Sequence, residues 1–280
     1  MTTSALTPSI PLDTSVTCMA SRSLLSIDKV SVAFGGVKAL SNVSIDIPAD
    51  RGIDAIIGPN GAGKTTLFNA LTGVVRPNHG RVLLQGNDIT GLRQDDIYRR
   101  GLSRTFQGVR LFEHLNIEQN VLLAARSVRG QQERTRGKLL PGWWESAESR
   151  ERAHAALDRV GLAVAMRRRR PSQLTLWESR MVEIARALSS EPAVLLLDEP
   201  AAGLNAVEKA RLGDLLLRIV AETGCHLVIV EHDMTLLMSI AEHVWVLNFG
   251  SLLASGTPAQ VQADPLVHEA YLGSPKEGAR

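Results

Sequence analysis

Gly58-Pro59-Asn60-Gly61-Ala62-Gly63-Lys64-Thr65-Thr66 has the residue types and spacing of a phosphate-binding loop. Glycines at 58, 61 and 63 let backbone N–H groups turn inward around a polyphosphate. A helix starting directly after them aims its positive dipole end at the same anion. Lys64 then reaches the β- and γ-phosphates, and the Thr65 hydroxyl holds Mg²⁺. The loop needs a strand before it and a helix after it. Ile53, Ala55, Ile56 and Ile57 supply the apolar run, and Leu67, Phe68, Ala70 and Leu71 the helical spacing. The alternative, a glycine-rich turn without a ligand, does not account for every motif position being filled in this context.

A second set of polar residues suits the same chemistry. Leu195-Leu196-Leu197-Asp198-Glu199-Pro200 ends a buried run with two acids. Asp198 is expected in the Mg²⁺ shell, and Glu199 is placed to orient or deprotonate an attacking water. Gln107 closes Ser103-Arg104-Thr105-Phe106-Gln107, where a side-chain amide can sense Mg²⁺ and water. His232 follows the run Leu227 to Val230 and can contact a γ-phosphate; a histidine at a strand end also has a structural reading. His226 and His232 could form a metal pair, but no second ligand cluster supports zinc. No Asn-Lys-x-Asp motif appears, which argues against a GTPase.

The elements that must position these groups are legible in outline. Residues 24–33 and 43–47 alternate apolar and polar as half-buried strands do, and 81–84 adds a short strand. These predict an antiparallel sheet near the nucleotide. Val194 to Leu197, Leu227 to Val230 and Val244 to Leu247 are continuous apolar runs suited to a parallel sheet buried on both faces. Helical spacing over Val207 to Ala221 lies between two of them, so the class is α/β. From about 108 to 190 predicted strands disappear, and 117–129, 147–160 and 176–189 carry helical spacing. Within that stretch Trp143-Trp144 either faces a membrane partner or packs a loop down, and Arg167 to Arg170 reads as a solvated basic face.

Composition sets bounds on the class. A 44% hydrophobic and 21% charged chain of 280 residues is ordinary for a globular protein. A net charge of +2 implies no strong bulk attraction to nucleic acid or acidic lipid. Cys18 and Cys225 are too few for a disulfide framework, which points to a reducing compartment. Residues 1–23, rich in Ser and Thr with Pro8 and Pro11, read as a mobile tail rather than a signal peptide. No stretch is long and apolar enough to span a membrane.

Phosphate loop, Gln107, helical insert, Asp198-Glu199 and His232, in that order, resemble the ATP-binding subunit of an ABC transporter over about residues 24 to 273. The resemblance implies a RecA-like P-loop ATPase core with an antiparallel β subdomain and an inserted helical subdomain. It divides the chain into 24–107 with 191–280 as the nucleotide-binding core and 108–190 as the helical part. Ala201-Ala202-Gly203-Leu204-Asn205 matches the family's D-loop. Phe34 stands where an aromatic ring stacks on adenine, although core packing would look the same in sequence. Phe34-Gly35-Gly36, Ala39-Leu40, Arg104-Thr105-Phe106-Gln107, Glu231-His232-Asp233-Met234 and Tyr271-Leu272-Gly273 resemble the branched-chain amino acid importers, the larger G-type ATPase subunit above all. Importers of urea and short amides share much of this pattern.

The resemblance implies ATP and Mg²⁺ as ligands, with Glu199, His232 and Gln107 catalytic and Thr65, Gln107 and Asp198 at the metal. It implies two integral-membrane permeases, an extracytoplasmic solute-binding protein acting indirectly, and a peripheral location on the cytoplasmic face of the membrane. One family position departs. Leu174-Thr175-Leu176-Trp177-Glu178 aligns with the signature Leu-Ser-x-Gly-Gln, and Glu183 to Leu188 fixes the register. Trp177 replaces a glycine whose backbone approaches the γ-phosphate held by the opposite subunit. The indole either blocks that approach or rotates outward and stacks elsewhere. The blocked reading favours a heterodimer with a second, different ATPase subunit. Two rival classes are a regulatory nucleotide-binding subunit with little turnover and a soluble ABC ATPase acting on DNA or ribosomes. The intact Glu199 and His232 speak against the first. The lack of long coiled-coil inserts or tandem cassettes speaks against the second.

Overall fold

A computed structural model describes residues 23–50, 52–105, 108–127 and 146–272. Residues 1–22 of the predicted tail, Gln107, Trp143 and Trp144 lie outside those residues, and Ser23, placed in the tail, is the first residue of a strand. The amino-terminal half begins with two long strands, β1 (Ser23–Phe34) and β2 (Val37–Pro48), joined through Gly35-Gly36. They pair antiparallel with Phe34 opposite Val37, and β4 (His79–Leu84) and β5 (Asn87–Asp88) complete a four-stranded sheet of order β2-β1-β4-β5. The strands are longer than the alternation alone indicated, because pairing carries 37–42 into the ladder.

The second sheet holds six strands. Its parallel members are β3 (Ile53–Ile57), β6 (Leu102–Arg104), β7 (Val194–Asp198), β8 (His226–Val230) and β9 (His243–Asn248), and β10 (Ser251–Gly256) joins antiparallel at one edge. The order is β10-β9-β3-β8-β7-β6. The continuous apolar runs now have a reason. Ile53, Ala55, Ile57, Leu195, Leu197, Leu227 and Ile229 pack on one face, and Ile56, Val194, Leu196, Val228 and Val230 on the other. Side chains alternate between faces with period two, so a sheet covered on both sides needs apolar residues at every position.

The two faces meet different layers. Helix α1 (Lys64–Leu71) and α2 (Gln94–Arg99) lie in the core shared with the antiparallel sheet. The other face is covered by α3 (Ile117–Ser127), α4 (Ala147–Arg159), α5 (Leu176–Leu188), α6 (Ala206–Thr223) and α7 (Met234–Ile240), with α8 (Pro258–Ala263) and α9 (Pro265–Leu272) the last described elements. Local sequence sets their ends. Asn205 and Glu208 form a reciprocal capping box at the start of α6, and Gly224 ends it with φ +66°. Among the described residues between 108 and 190 there is no strand.

The expected solvated basic run is corrected at one residue. Arg168, Arg169 and Arg170 are exposed, but Arg167 is buried and paired with Asp158. The backbone carbonyls of Arg167 and Arg169 accept from the Glu118 and Ile117 N–H groups, capping the first turn of α3. The run is a helix-end scaffold as well as a charged surface.

One buried polar group lies in the middle of the apolar sheet. Asp54 of β3 is 0% exposed, bonding His226 Nε2 of β8 at 2.8 Å through Oδ2 and accepting from Trp245 Nε1 of β9 at 2.9 Å through Oδ1. These residues share the sheet face that packs toward the antiparallel sheet.

Candidate functional site

Parallel pairing brings the polar residues together. In a parallel sheet every strand ends at the same edge, and ligands bind in the crevice beyond the carboxyl ends. The phosphate loop follows β3, Asp198 and Glu199 close β7, and Glu231 and His232 follow β8. Because β8 lies between β3 and β7, with Asp198 in register with Val230 and Ile56 also paired with Val230, residues separated by more than 130 positions share one edge.

The loop is shaped by its glycines and closes on its own lysine. A Cβ at Gly58 would lie 2.2 Å from the Leu247 carbonyl oxygen, and one at Gly63 (φ +102°) 2.7 Å from that of Ala39. Lys64 Nζ donates to Gly58 O at 2.7 Å and Pro59 O at 3.1 Å. Burial pulls the Lys64 pKa down, and the Glu199 and Asp198 charges pull it back up. This places the ammonium within the field of both acids. Burial also pushes the Tyr271 hydroxyl up to about 12 against the opposing Gly58 backbone hydrogen bond, which sets the end of α9 against the start of the loop. Gly58→Ala is expected to destabilise the fold by about 1–3 kcal/mol, since the obstructing atom is a backbone carbonyl that cannot swing away. Urea denaturation with and without Mg²⁺–ATP reads the loss, and an unaltered midpoint would show that the loop tolerates the Cβ.

Glu199 and His232 face one another across β7 and β8. Glu199 Oε1 lies 3.1 Å from His232 Nε2. Glu199 has φ +49°, a conformation uncommon for a non-glycine residue, and its N–H is held by Val230 O at 2.8 Å. Glu231, which sequence reading passed over, is buried and clamps two segments at once. Its Oε1 accepts from the Ala201 N–H and its Oε2 from the His232 N–H, each at 2.7 Å. The signal was its place in Glu231-His232-Asp233, next to the histidine it fixes. Asp233 in turn caps α7 and pairs with Lys209 at 2.7 Å; that hydrogen bond holds the Asp233 carboxyl below its usual range and raises Lys209.

Further positions resolve as follows. Phe34 is 51% exposed at the tip of β1, so its ring is not consumed by core packing. Trp177 is half-buried against the helical side of the core, at the start of α5. Thr175 caps that helix: its Oγ1 accepts from the Glu178 N–H and its own N–H donates to Glu178 Oε2. The bare Gly203 admits the adjacent Leu176, whose Cδ2 would meet an added Cβ at 2.8 Å. His226, the other histidine of the suggested metal pair, is instead engaged with Asp54.

The residues fit a Mg²⁺-bound nucleoside triphosphate. Thr65 and Asp198 are hard oxygen donors of the kind Mg²⁺ takes, and a lysine beside helix-start N–H groups is the donor set that suits a phosphate. A groove of about 740 Å³ opens where α2, β6, α3 and α5 meet, lined in part by Tyr98, Leu102, Arg104, Phe112, Leu123 and Arg186. Burial lowers Arg186 and raises Glu183 within it, the latter against the Arg110 N–H and the Arg180 charge.

Comparison with known proteins agrees with this geometry. The family described as ABC transporter matches residues 40–202, and the one described as branched-chain amino acid ATP-binding cassette transporter matches 251–277. The chain is 38% identical over 260 residues to the high-affinity branched-chain amino acid transport ATP-binding protein LivG of Escherichia coli K12, covering 90% of this chain and 99% of the relative. It is equally similar, with the same coverage, to BraF of Pseudomonas aeruginosa, which carries the same description. Among solved structures, a nucleotide-free ATP-binding cassette from an ABC transporter superposes with a TM-score of 0.77 at 28% identity, covering 90% of this chain and all of that one. The ADP conformation of the cassette MJ1267 gives the same TM-score at 29% identity, covering 90% of this chain and 99% of that one. With a phosphate loop, an acid pair and a histidine on one sheet edge, and relatives matched over nearly their whole length, the chain belongs to the ATP-binding subunits of ABC transporters, the ATPases of these systems, in the branched-chain amino acid group.

Proposed function

We propose that this chain hydrolyses ATP to drive import of branched-chain or related amino acids. It would act at the cytoplasmic face of the membrane through two integral-membrane permeases, fed indirectly by an extracytoplasmic solute-binding protein. The observation that carries the hydrolytic part is the 3.1 Å contact between Glu199 and His232 on the sheet edge that also bears Lys64. The solute class rests on the names of LivG and BraF.

Each residue then has a task. The phosphate loop from Gly58 to Thr66 wraps the phosphates, with Pro59, Asn60, Gly61 and Ala62 supplying its turn, and Phe34 stacks on adenine. Lys64 would neutralise phosphate charge, and Thr65, Asp198 and Gln107 would hold Mg²⁺, which would supply further positive charge to the phosphates. Glu199 takes a proton from the attacking water, and His232, fixed by Glu231, holds that carboxylate and the γ-phosphate in line. Residues 24–107 and 191–280 form the nucleotide core, and 108–190 moves with the permeases. The exposed Phe112 and Leu123 in the groove give those partners an apolar seat. Uptake of radiolabelled leucine, compared with urea, in cells with and without Lys64→Ala tests the whole reading. Leucine uptake lost in the variant supports it; loss of urea uptake alone moves the solute to the amide class.

The partner ATPase is a different subunit. Trp177 replaces the glycine that the family places against the neighbour's γ-phosphate, and overpacking a tight contact typically costs about 1–3 kcal/mol. The purified chain alone is therefore expected to turn over slowly, with Trp177→Gly raising its rate about tenfold. Rates are normalised to the folded, nucleotide-binding fraction, because the variant also loses the indole's packing on the core. A rate unchanged or lowered by Trp177→Gly would mean that this packing already keeps the indole out of the interface, and the heterodimer argument would fall while the ATPase assignment stood.

A further inference from the structure

Arg104 is the residue that the known chemistry leaves without a task. It ends β6, its side chain is 8% exposed, and its NH2 donates to Asp198 Oδ2 at 2.7 Å, with the Asp198 side chain 2% exposed. NH1 donates to Asn69 Oδ1 of α1 at 2.7 Å, and Thr72 Oγ1 lies 3.5 Å from the same nitrogen. The guanidinium carbon stands 5.5 Å from the centre of the Phe68 ring. One planar cation thus joins β7 to the helix that begins at the phosphate loop, and the same side chain lines the groove between α2, β6, α3 and α5.

We infer that Arg104 is a positioning residue for Mg²⁺: it fixes the carboxylate of Asp198 relative to the phosphate loop. This rests on the proposed role of Asp198 at the metal. Two features of the geometry support it. First, the fork is two-sided. A carboxylate held at Oδ2 by a guanidinium that α1 itself anchors cannot rotate independently of the loop–helix unit that carries Thr65. Second, Oδ2 is committed, so Oδ1 is the oxygen offered to a metal shell. Partners that orient a metal-supporting carboxylate typically govern metal affinity by about 10–100-fold. A lysine keeps the charge but not the planar fork, so it cannot span Asn69 and Asp198 together.

The test uses the full chain and binding of N-methylanthraniloyl-ATP, titrated with Mg²⁺ and repeated in EDTA. Arg104→Met is expected to raise the Mg²⁺ midpoint by about 10–100-fold with nucleotide binding in EDTA unchanged. Arg104→Lys and Asn69→Ala are expected to raise it by less, in the same direction, and they decide the matter if Arg104→Met does not fold. Arg104→Met combined with Asp198→Asn should be no worse in Mg²⁺ dependence than Asp198→Asn alone. A thermal destabilisation with an unmoved Mg²⁺ midpoint would reduce Arg104 to a structural staple and overturn the inference, as would a lowered midpoint. If Asp198→Asn itself leaves the midpoint unmoved, the metal role of Asp198 falls, and this inference with it. If Asp198→Asn shifts the midpoint and the Arg104 and Asn69 variants do not, this inference alone falls.

Discussion

Glu199→Gln is expected to lower ATP turnover by about 10²–10⁴-fold while nucleotide binding persists. The amide is nearly isosteric with the carboxylate and can keep a hydrogen bond to His232, 3.1 Å away, but it cannot accept a proton from water. A second consequence follows from the charge it removes. Glu199 is the foremost charge raising the Lys64 pKa against the effect of burial. Without it Lys64 loses its proton more readily, so the alkaline limit of nucleotide binding is expected to move to lower pH. Single-turnover hydrolysis and a pH series of nucleotide titrations check both. A variant that retained turnover within tenfold of the original would remove Glu199 from the role of base.

Asp54→Ala is expected to be the most costly single change for the fold, at about 3–5 kcal/mol, although it lies away from the chemistry. The substitution strips the acceptor from His226 Nε2 and Trp245 Nε1 in the middle of three parallel strands, where water cannot replace it. Asp54→Asn should cost less, because its amide can still accept from the indole and keep a hydrogen bond to the imidazole. Urea unfolding followed by tryptophan fluorescence measures both. Equal losses for the two variants would show that charge, rather than hydrogen bonding, holds this triad together.

Much of the site was legible because its chemistry is written in short contiguous motifs. Gly58 to Thr66 must be consecutive, since one loop has to present several N–H groups to one anion. Asp198 and Glu199 must end a strand, since only strand ends reach the crevice. The apolar runs at 194–197, 227–230 and 244–247 forecast buried parallel strands, because a sheet covered on both faces tolerates no polar alternation. Helix α6 was readable from its spacing over Val207 to Ala221.

What escaped the sequence were contacts between distant residues. Asp54 drew no reading from the apolar run around it; β8 and β9 bring His226 and Trp245 to it. Arg104 and Glu231 looked like motif neighbours of more prominent residues, yet each joins separate segments through a buried charge. Arg167 belonged to a basic run, and only the fold gave it Asp158 and a helix end to cap. The packing of Trp177 was likewise unreadable from spacing; its indole lies half-buried on the helical side of the core. The sequence by itself determined the loop, the strand ends and the helix periods, because those follow from backbone geometry over a few residues. The tertiary structure decided which charges are paired and which rings are covered, because strand order and register are set by the packing of the whole chain.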